Sequence, residues 1–243
     1  MSVVDLQRTA DGREYRQAHD PQSMDAEEMM RDCQRVVVVA PHPDDETLGA
    51  GGLLSVLLRR GFSVDVIMVT DGEASHARLA PRVMRSVRVL ESALALRQLG
   101  WARPNVHRLR LPDGNVASQE DVLVRRLEQL LRPGDRVLTT WEHDGHPDHE
   151  ATARAVIQVA AGKRCACAQF PVWGRSRLLV DGAVQAPEHV CRFPLDSAAL
   201  VHKCRALKRY RSQLVAVAGS DEPPVVPPSM VNECLAPFEV LLL

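Results

Sequence analysis

The first sustained apolar signal in the chain is the run Val36 to Val39, closed by Pro41 and Pro43. An unbroken β-branched stretch of that kind predicts a central parallel strand buried on both faces. From Thr47 the pattern LGAGGLLSVLLRRG predicts a helix stopped at Gly61, and SVDVIMVT over 63–70 predicts the next strand, completing a βαβ unit. Val83, Val87, Leu90 and Leu94 then recur at i, i+4, i+7 and i+11 between Pro81 and Leu99. That spacing predicts a long helix whose apolar stripe covers a sheet. A strand over 106–109, a turn at Leu111 to Gly114, a helix over 119–131, a strand over 136–140 and a helix over 150–161 continue the alternation.

Beyond this the pattern loosens into CACAQFPVWG and short apolar runs near 178 and 190. A last helix is expected over 196–217, then an extended Pro-rich loop, EPPVVPPS, over 222–229 and a short apolar segment at the C-terminus. Alternating elements of this kind define an α/β fold, a Rossmann-like mostly parallel sheet with helices on both faces, in a single domain over 35–243. Residues 1–34 are polar and read as an extension, with a short helix around Met24 to Cys33.

Composition narrows the function. The 30 Lys and Arg nearly cancel the 31 Asp and Glu, so no global field draws in nucleic acid or an anionic membrane, and a small-molecule partner is expected. No apolar run reaches the ~20 residues that span a bilayer, and the first residues lack the charged-then-apolar pattern of a leader, so a soluble, cytoplasmic protein is expected. The six cysteines are scattered without a C-x-x-C and read as reduced thiols; Cys165 and Cys167 share one face of a strand.

Two segments carry chemistry. Pro41-His42-Pro43-Asp44-Asp45-Glu46 places a histidine and adjacent carboxylates directly after a buried strand, at the carboxyl edge where open α/β sheets bind ligands. His143-Asp144-Gly145-His146-Pro147-Asp148-His149 follows another strand, and two parallel strands deliver both clusters to one edge. Histidines and aspartates from two strand-end loops suit an open metal site with three protein ligands. Because neighbouring side chains in extended backbone point different ways, one of Asp44 and Asp45 can bind metal while the other addresses water.

These two motifs resemble those of the LmbE-like, or PIG-L-type, zinc-dependent N-acetylglucosaminyl deacetylases. The resemblance runs from Val36 to Leu214 and takes in Val69-Thr70-Asp71-Gly72, Arg88-x-x-Glu91, Leu111-Pro112-Asp113-Gly114, Pro171-Val172-Trp173 and Lys208-x-Tyr210-x-Ser212-Gln213. It implies zinc, with ferrous iron as the alternative, held by His42, Asp45 and His149. Asp44 would be the general base, His146 would stabilise the oxyanion and protonate the leaving amine, and Asp148 would orient His146. The implied reaction removes an N-acetyl group from an amino sugar or glycoconjugate; another N-acylated metabolite is the alternative substrate.

Pro41 stands where the family's first motif has alanine, and His143 is an extra histidine that competes for metal or meets substrate. Glu46 is expected at the start of the following helix, where the dipole favours a carboxylate. Arg88, Asp113 and Trp173 are candidate substrate contacts, set against an Arg88–Glu91 pair, a turn-forming Asp113 and a core Trp173. The loops over 72–80, 171–190 and 219–236 are expected to form the cleft. Two other readings compete: a nucleotide-binding module, since Gly49-Ala50-Gly51-Gly52 lies between a strand and a helix, and a non-catalytic carbohydrate binder of the same fold.

Overall fold

The computed structural model describes residues 22–180, 190–216 and 223–243. In chain order the elements are β1 (Gln22–Ser23), α1 (Ala26–Met29), β2 (Arg35–Ala40), α2 (Asp45–Arg59), β3 (Ser63–Met68), α3 (Pro81–Gln98) and β4 (Asn105–Arg108). They continue as α4 (Glu120–Leu130), β5 (Asp135–Thr140), α5 (Pro147–Lys163), β6 (Ala166–Phe170), α6 (Arg175–Val180), β7 (Val190–Pro194), α7 (Ser197–Leu207), α8 (Arg211–Leu214), α9 (Pro228–Cys234) and β8 (Phe238–Leu242).

One sheet runs β1-β7-β8-β6-β5-β2-β3-β4. β6, β5, β2, β3 and β4 pair in parallel, while β8 is antiparallel to both β6 and β7. After β2 the chain builds outward through β3 and β4, then returns to place β5 on the other side of β2. The carboxyl ends of β2 and β5 therefore flank a topological switch point.

The side-chain alternation of β2 divides the core. Val36, Val38 and Ala40 join a cluster with Leu53, Leu54, Leu57 and Phe170, whereas Val37 and Val39 join Leu123, Leu127, Val156 and Val159 under α4 and α5. Met24, Ala26 and Met29 also enter the first cluster, and β1 pairs with β7, so residues 22–34 are packed onto the sheet. Residues 1–21 lie outside those described.

The glycines of α2 have a packing role. A Cβ on Gly49 would lie 2.0 Å from Phe170, and one on Gly52 would lie 2.4 Å from Leu195 and 3.1 Å from Glu239 Oε1. That space lets Glu239 accept from the Gly52 and Leu53 N–H groups at 2.7 Å, while Lys203 Nζ donates to Leu48 O and Glu239 Oε1 at 2.8 Å. Because these glycines lie inside the helix, facing side chains, they form no phosphate loop, and the nucleotide reading falls.

Three other expectations change. Of the expected stripe, Val83, Leu90 and Leu94 face outward, with Leu90 61% exposed, and Val87 is half-buried; α3 instead buries Met84, Arg88, Glu91, Ser92, Ala95 and Leu96, and rests on α7 and α8. The expected helix over 196–217 is two, α7 and α8, parted where Tyr210 leaves helical geometry with ψ 54°, and residue 217 lies outside those described. Within the Pro-rich segment Pro228 opens α9, since the first position of a helix has no use for the missing N–H.

Lys203→Met would leave Glu239 charged and unpaired in a site where both side chains are fully buried, and is expected to cost about 3–5 kcal/mol. Leu90→Ser is expected to change stability by no more than about 0.5 kcal/mol. Denaturant unfolding of the two variants checks both.

Candidate metal centre

The parallel strands bring five strand-end loops to one edge. β2 delivers His42 to Glu46, β3 delivers Asp71 to Ser75, β4 delivers Leu111 to Gly114, β5 delivers Trp141 to His149, and β6 delivers Pro171 to Gly174.

At the switch point His42 Nδ1 and His149 Nε2 each lie 3.2 Å from Asp45 Oδ2 and 3.3 Å from one another. These three residues form a group able to hold a metal ion. Two imidazole nitrogens and a carboxylate oxygen converging this closely form a donor set suited to a cation. The spacing also fits one: tetrahedral ligands at about 2.0–2.1 Å from a centre stand about 3.3–3.4 Å apart.

The far nitrogen of each ring supports the same reading. His149 Nδ1 lies 2.7 Å from Asp144 Oδ2, and His42 Nε2 lies 3.1 Å from Asp113 Oδ1 and 3.2 Å from Asp148 Oδ2. Carboxylates in these places fix the tautomer that aims the near nitrogen at a metal. His42, Asp113 and Asp148 form a second possible group. There, however, Asp148 already accepts from Gly114 and Val116 N–H at 2.8 and 3.0 Å, and Asp113 from Ala74 N–H at 2.7 Å. We therefore assign these two carboxylates to orienting His42.

Electrostatics follow from this packing. Burial opposes a charge on His149, but Asp45 and Asp144 outweigh it and push the ring up to about 9. His42 is likewise raised well above its ordinary value by Asp113, Asp148 and Asp45 against burial. Asp45 is held well below the usual carboxylate range because His149 and His42 outweigh burial.

Asp44 stands outside the triangle. It is buried and pushed up to about 7 by desolvation and its acidic neighbours Asp45 and Glu46, against the pull of Arg88 and His42. Its φ of 136° is a strained value for a residue with a side chain. The surroundings enforce it. Asp44 N–H donates to Glu46 Oε2 at 3.0 Å, and Arg88 Nη2 donates to Pro43 O at 2.5 Å and Asp44 Oδ1 at 3.1 Å. Glu46 is itself gripped by Tyr210 Oη at 2.5 Å and Thr47 Oγ1 at 2.7 Å. Glu46 thus does sit in the first turn of α2, holding the backbone of Asp44 just before the helix.

His146 caps α5, its Nδ1 accepting the Asp148 N–H at 3.2 Å. The Asp148 contact with His146 is made by this backbone group, because the carboxylate is taken up by His42 and the 114–116 backbone. Burial and the neighbouring rings of His149 and His42 hold His146 below its ordinary pKa.

A cleft of about 230 Å³ opens above the triangle, and its walls include Arg88, Asp113, His146, Trp173, Gln213 and Val226. All three candidate substrate residues line it. Glu91 pairs with Ser212 at 2.6 and 2.8 Å, so Arg88 is directed to the Asp44 loop. Trp173 is 36% exposed, with its ring stacked 6.4 Å from His146, and is no core residue. Of the cleft loops, Gly72, Ala74, Ser75, Trp173, Val225 and Val226 contribute, while 181–189 and 217–222 lie outside the described residues. His143 packs edge-on against Trp141 at 5.7 Å and belongs to neither metal group.

Sequence reasoning passed over Asp144. Fully buried, it accepts from the N–H groups of Val172, Trp173 and Gly174 at 2.8–3.1 Å as well as facing His149. Its place in the histidine-rich motif was the available signal, but its partners on the β6 loop are not adjacent in sequence.

Fold and site thus define a Rossmann-like α/β protein with a candidate metal centre at the switch point. A model of the PIG-L family, described as GlcNAc-PI de-N-acetylase, matches residues 37–160, and the chain belongs to that family. A 1D-myo-inositol 2-acetamido-2-deoxy-alpha-D-glucopyranoside deacetylase of Mycolicibacterium gilvum is 33% identical over 52% of this chain and 55% of its own length. The chain spans about half the length of the first such relatives it matches. Diacetylchitobiose deacetylase of Thermococcus kodakarensis is 30% identical over 76% of this chain and 72% of that protein. The solved N,N'-diacetylchitobiose deacetylase from Pyrococcus horikoshii shares the fold, with a TM-score of 0.62 at 21% identity over 76% of this chain and 73% of that one.

Asp144→Asn, which removes the charge facing His149 Nδ1, is expected to weaken metal binding by about 10- to 100-fold. Titration against a competing chelator measures it.

Proposed function

We propose that this chain is a zinc-dependent hydrolase that removes the N-acetyl group from an amino sugar or glycoconjugate. The observation that carries the reading is the buried, strained Asp44 held beside the His42–Asp45–His149 triangle at the floor of a cleft. The names of the relatives, deacetylases of acetamido sugars, support the choice of substrate.

An amide is a poor electrophile with a poor leaving group, so its hydrolysis needs a polarised carbonyl, an activated water and a proton for nitrogen. A zinc ion held by His42, Asp45 and His149 would supply the first two, polarising the carbonyl and lowering the pKa of water to about 7. Two His and one carboxylate also suit ferrous iron.

Asp44 takes one proton from the attacking water as the new C–O bond forms. The C–N bond then breaks, and the nitrogen receives that proton from Asp44 and not from His146, whose ring is held below its ordinary pKa by burial and the neighbouring rings of His149 and His42. The free amine departs with acetic acid, which loses the second water proton to solvent. Because His146 Nδ1 accepts a backbone N–H, its neutral ring carries the proton on Nε2 and donates it as a hydrogen bond to the developing oxyanion. Arg88 holds Asp44 in place, and Trp173 offers an apolar face to a sugar ring.

Acetate release from a panel of N-acetylated sugars and glycosylated metabolites tests the proposal. Wild type is expected to deacetylate at least one amino sugar, and Asp44→Ala to lose the activity while keeping its metal. Silence on every sugar would overturn the substrate assignment. Tyr210→Phe, which removes one hydrogen bond from Glu46, is expected to lower kcat roughly tenfold with metal content unchanged. Steady-state kinetics beside metal analysis read both quantities.

A further inference from the structure

We infer that the carboxyl ends of β3 and β4 form a binding recess for an anionic group, phosphate or carboxylate, carried by the part of the substrate that projects from the cleft. The link to substrate rests on the proposed deacetylase reading; the anion site itself does not.

Three arginines from two segments converge on Asp71. Arg85 comes from α3, Arg108 from the end of β4, and Arg110 from just beyond it with a φ of 56°. With Asp71, Ser86 and Val89 they line an open recess. At its base Asp71 is 1% exposed, and Arg108 Nε donates to its Oδ1 at 2.8 Å.

The other two guanidinium groups are drawn toward Asp71 without being spent on it. Arg85 Nε stands 3.4 Å and Arg110 Nε 3.9 Å from Oδ2, beyond hydrogen-bond length. Arg85 also faces Glu73 Oε1 at 3.5 Å. Three guanidinium charges against the carboxylates of Asp71 and Glu73 leave a positive surplus, so the recess repels a metal cation. Forked N–H donors held by a buried carboxylate suit the paired oxygens of a phosphate or carboxylate.

The recess adjoins the cleft. Asp71 precedes Gly72, which lines the cleft and is so close to Arg88 that a Cβ there would lie 3.0 Å from its guanidinium. Arg85 sits one helical turn before Arg88, and Arg110 three residues before Asp113, both of which line the cleft. A substituent leaving the sugar over Gly72 reaches the arginines.

Calorimetric titration of the intact, metal-loaded protein with inorganic phosphate tests the site, with Arg85→Ala/Arg110→Ala as the variant; both positions are exposed, at 45% and 70% of the side chain, so the fold is expected to persist. Wild type is expected to bind phosphate and the variant to bind it about tenfold or more weakly. In a second arm, kcat/KM for N-acetylglucosamine 1-phosphate is expected to exceed that for N-acetylglucosamine by about tenfold through KM. That preference shrinks with added salt, which screens exposed charges over about 10 Å at 0.1 M, and disappears in the variant. Absent phosphate binding, binding equal in wild type and variant, or a preference that survives the variant would overturn the proposal. If neither sugar is hydrolysed, the panel of N-acetylated sugars decides the deacetylase reading, and the phosphate titration still decides the recess.

Discussion

Two ring nitrogens and a carboxylate oxygen are held 3.2–3.3 Å apart in a buried place, a spacing suited to a cation among them, and much of the buried polar structure serves to hold them there. His42 and His149 would turn away from each other if free. Asp113 and Asp148 on one ring, and Asp144 on the other, prevent it, and each of these carboxylates is itself fixed by backbone N–H groups of another loop. The triangle therefore ties the loops after β3, β4 and β6 to those after β2 and β5.

The same logic extends into the helical layer. Asp44 keeps its strained backbone because Glu46 and Arg88 hold it, Glu46 because Tyr210 holds it, and Glu91 draws in Ser212 from the same segment. The C-terminal motif containing Tyr210 and Gln213 thus braces the floor and one wall of the cleft. Further along α2, Lys203 and Glu239 meet the helix backbone through the space left by Gly52, joining α7 and β8 to the helix that begins at Asp45.

The parallel strands and the two histidine- and aspartate-rich loops were legible in the sequence because each loop follows abruptly on a predicted strand. From that boundary the carboxyl edge follows; it is the resemblance to the deacetylase family that singles out His42, Asp45 and His149 among the histidines and aspartates there. The orientation of α3 was not legible. Its 4-3-4 stripe of Val and Leu reads as the buried face, yet the helix turns Arg88 and Glu91 inward because each has a partner distant in sequence, the Asp44 loop and Ser212. The break before α8 and the helix after Pro227 were hidden for a related reason: tertiary contacts of Tyr210, and the tolerance of a first helical turn for proline, decide them. Asp144 lay in plain view within a motif, but its three backbone donors come from a loop 28–30 residues away.

The central claim is that His42, Asp45 and His149 hold one metal ion. Anomalous diffraction from crystals of the protein as isolated, collected on both sides of the zinc and iron absorption edges, tests it most directly. The account predicts a single strong peak lying about 2.0–2.2 Å from His42 Nδ1, His149 Nε2 and an Asp45 carboxylate oxygen. A peak between His42 Nε2, Asp113 and Asp148, a peak on His143, or none in protein shown by elemental analysis to carry metal, would contradict it.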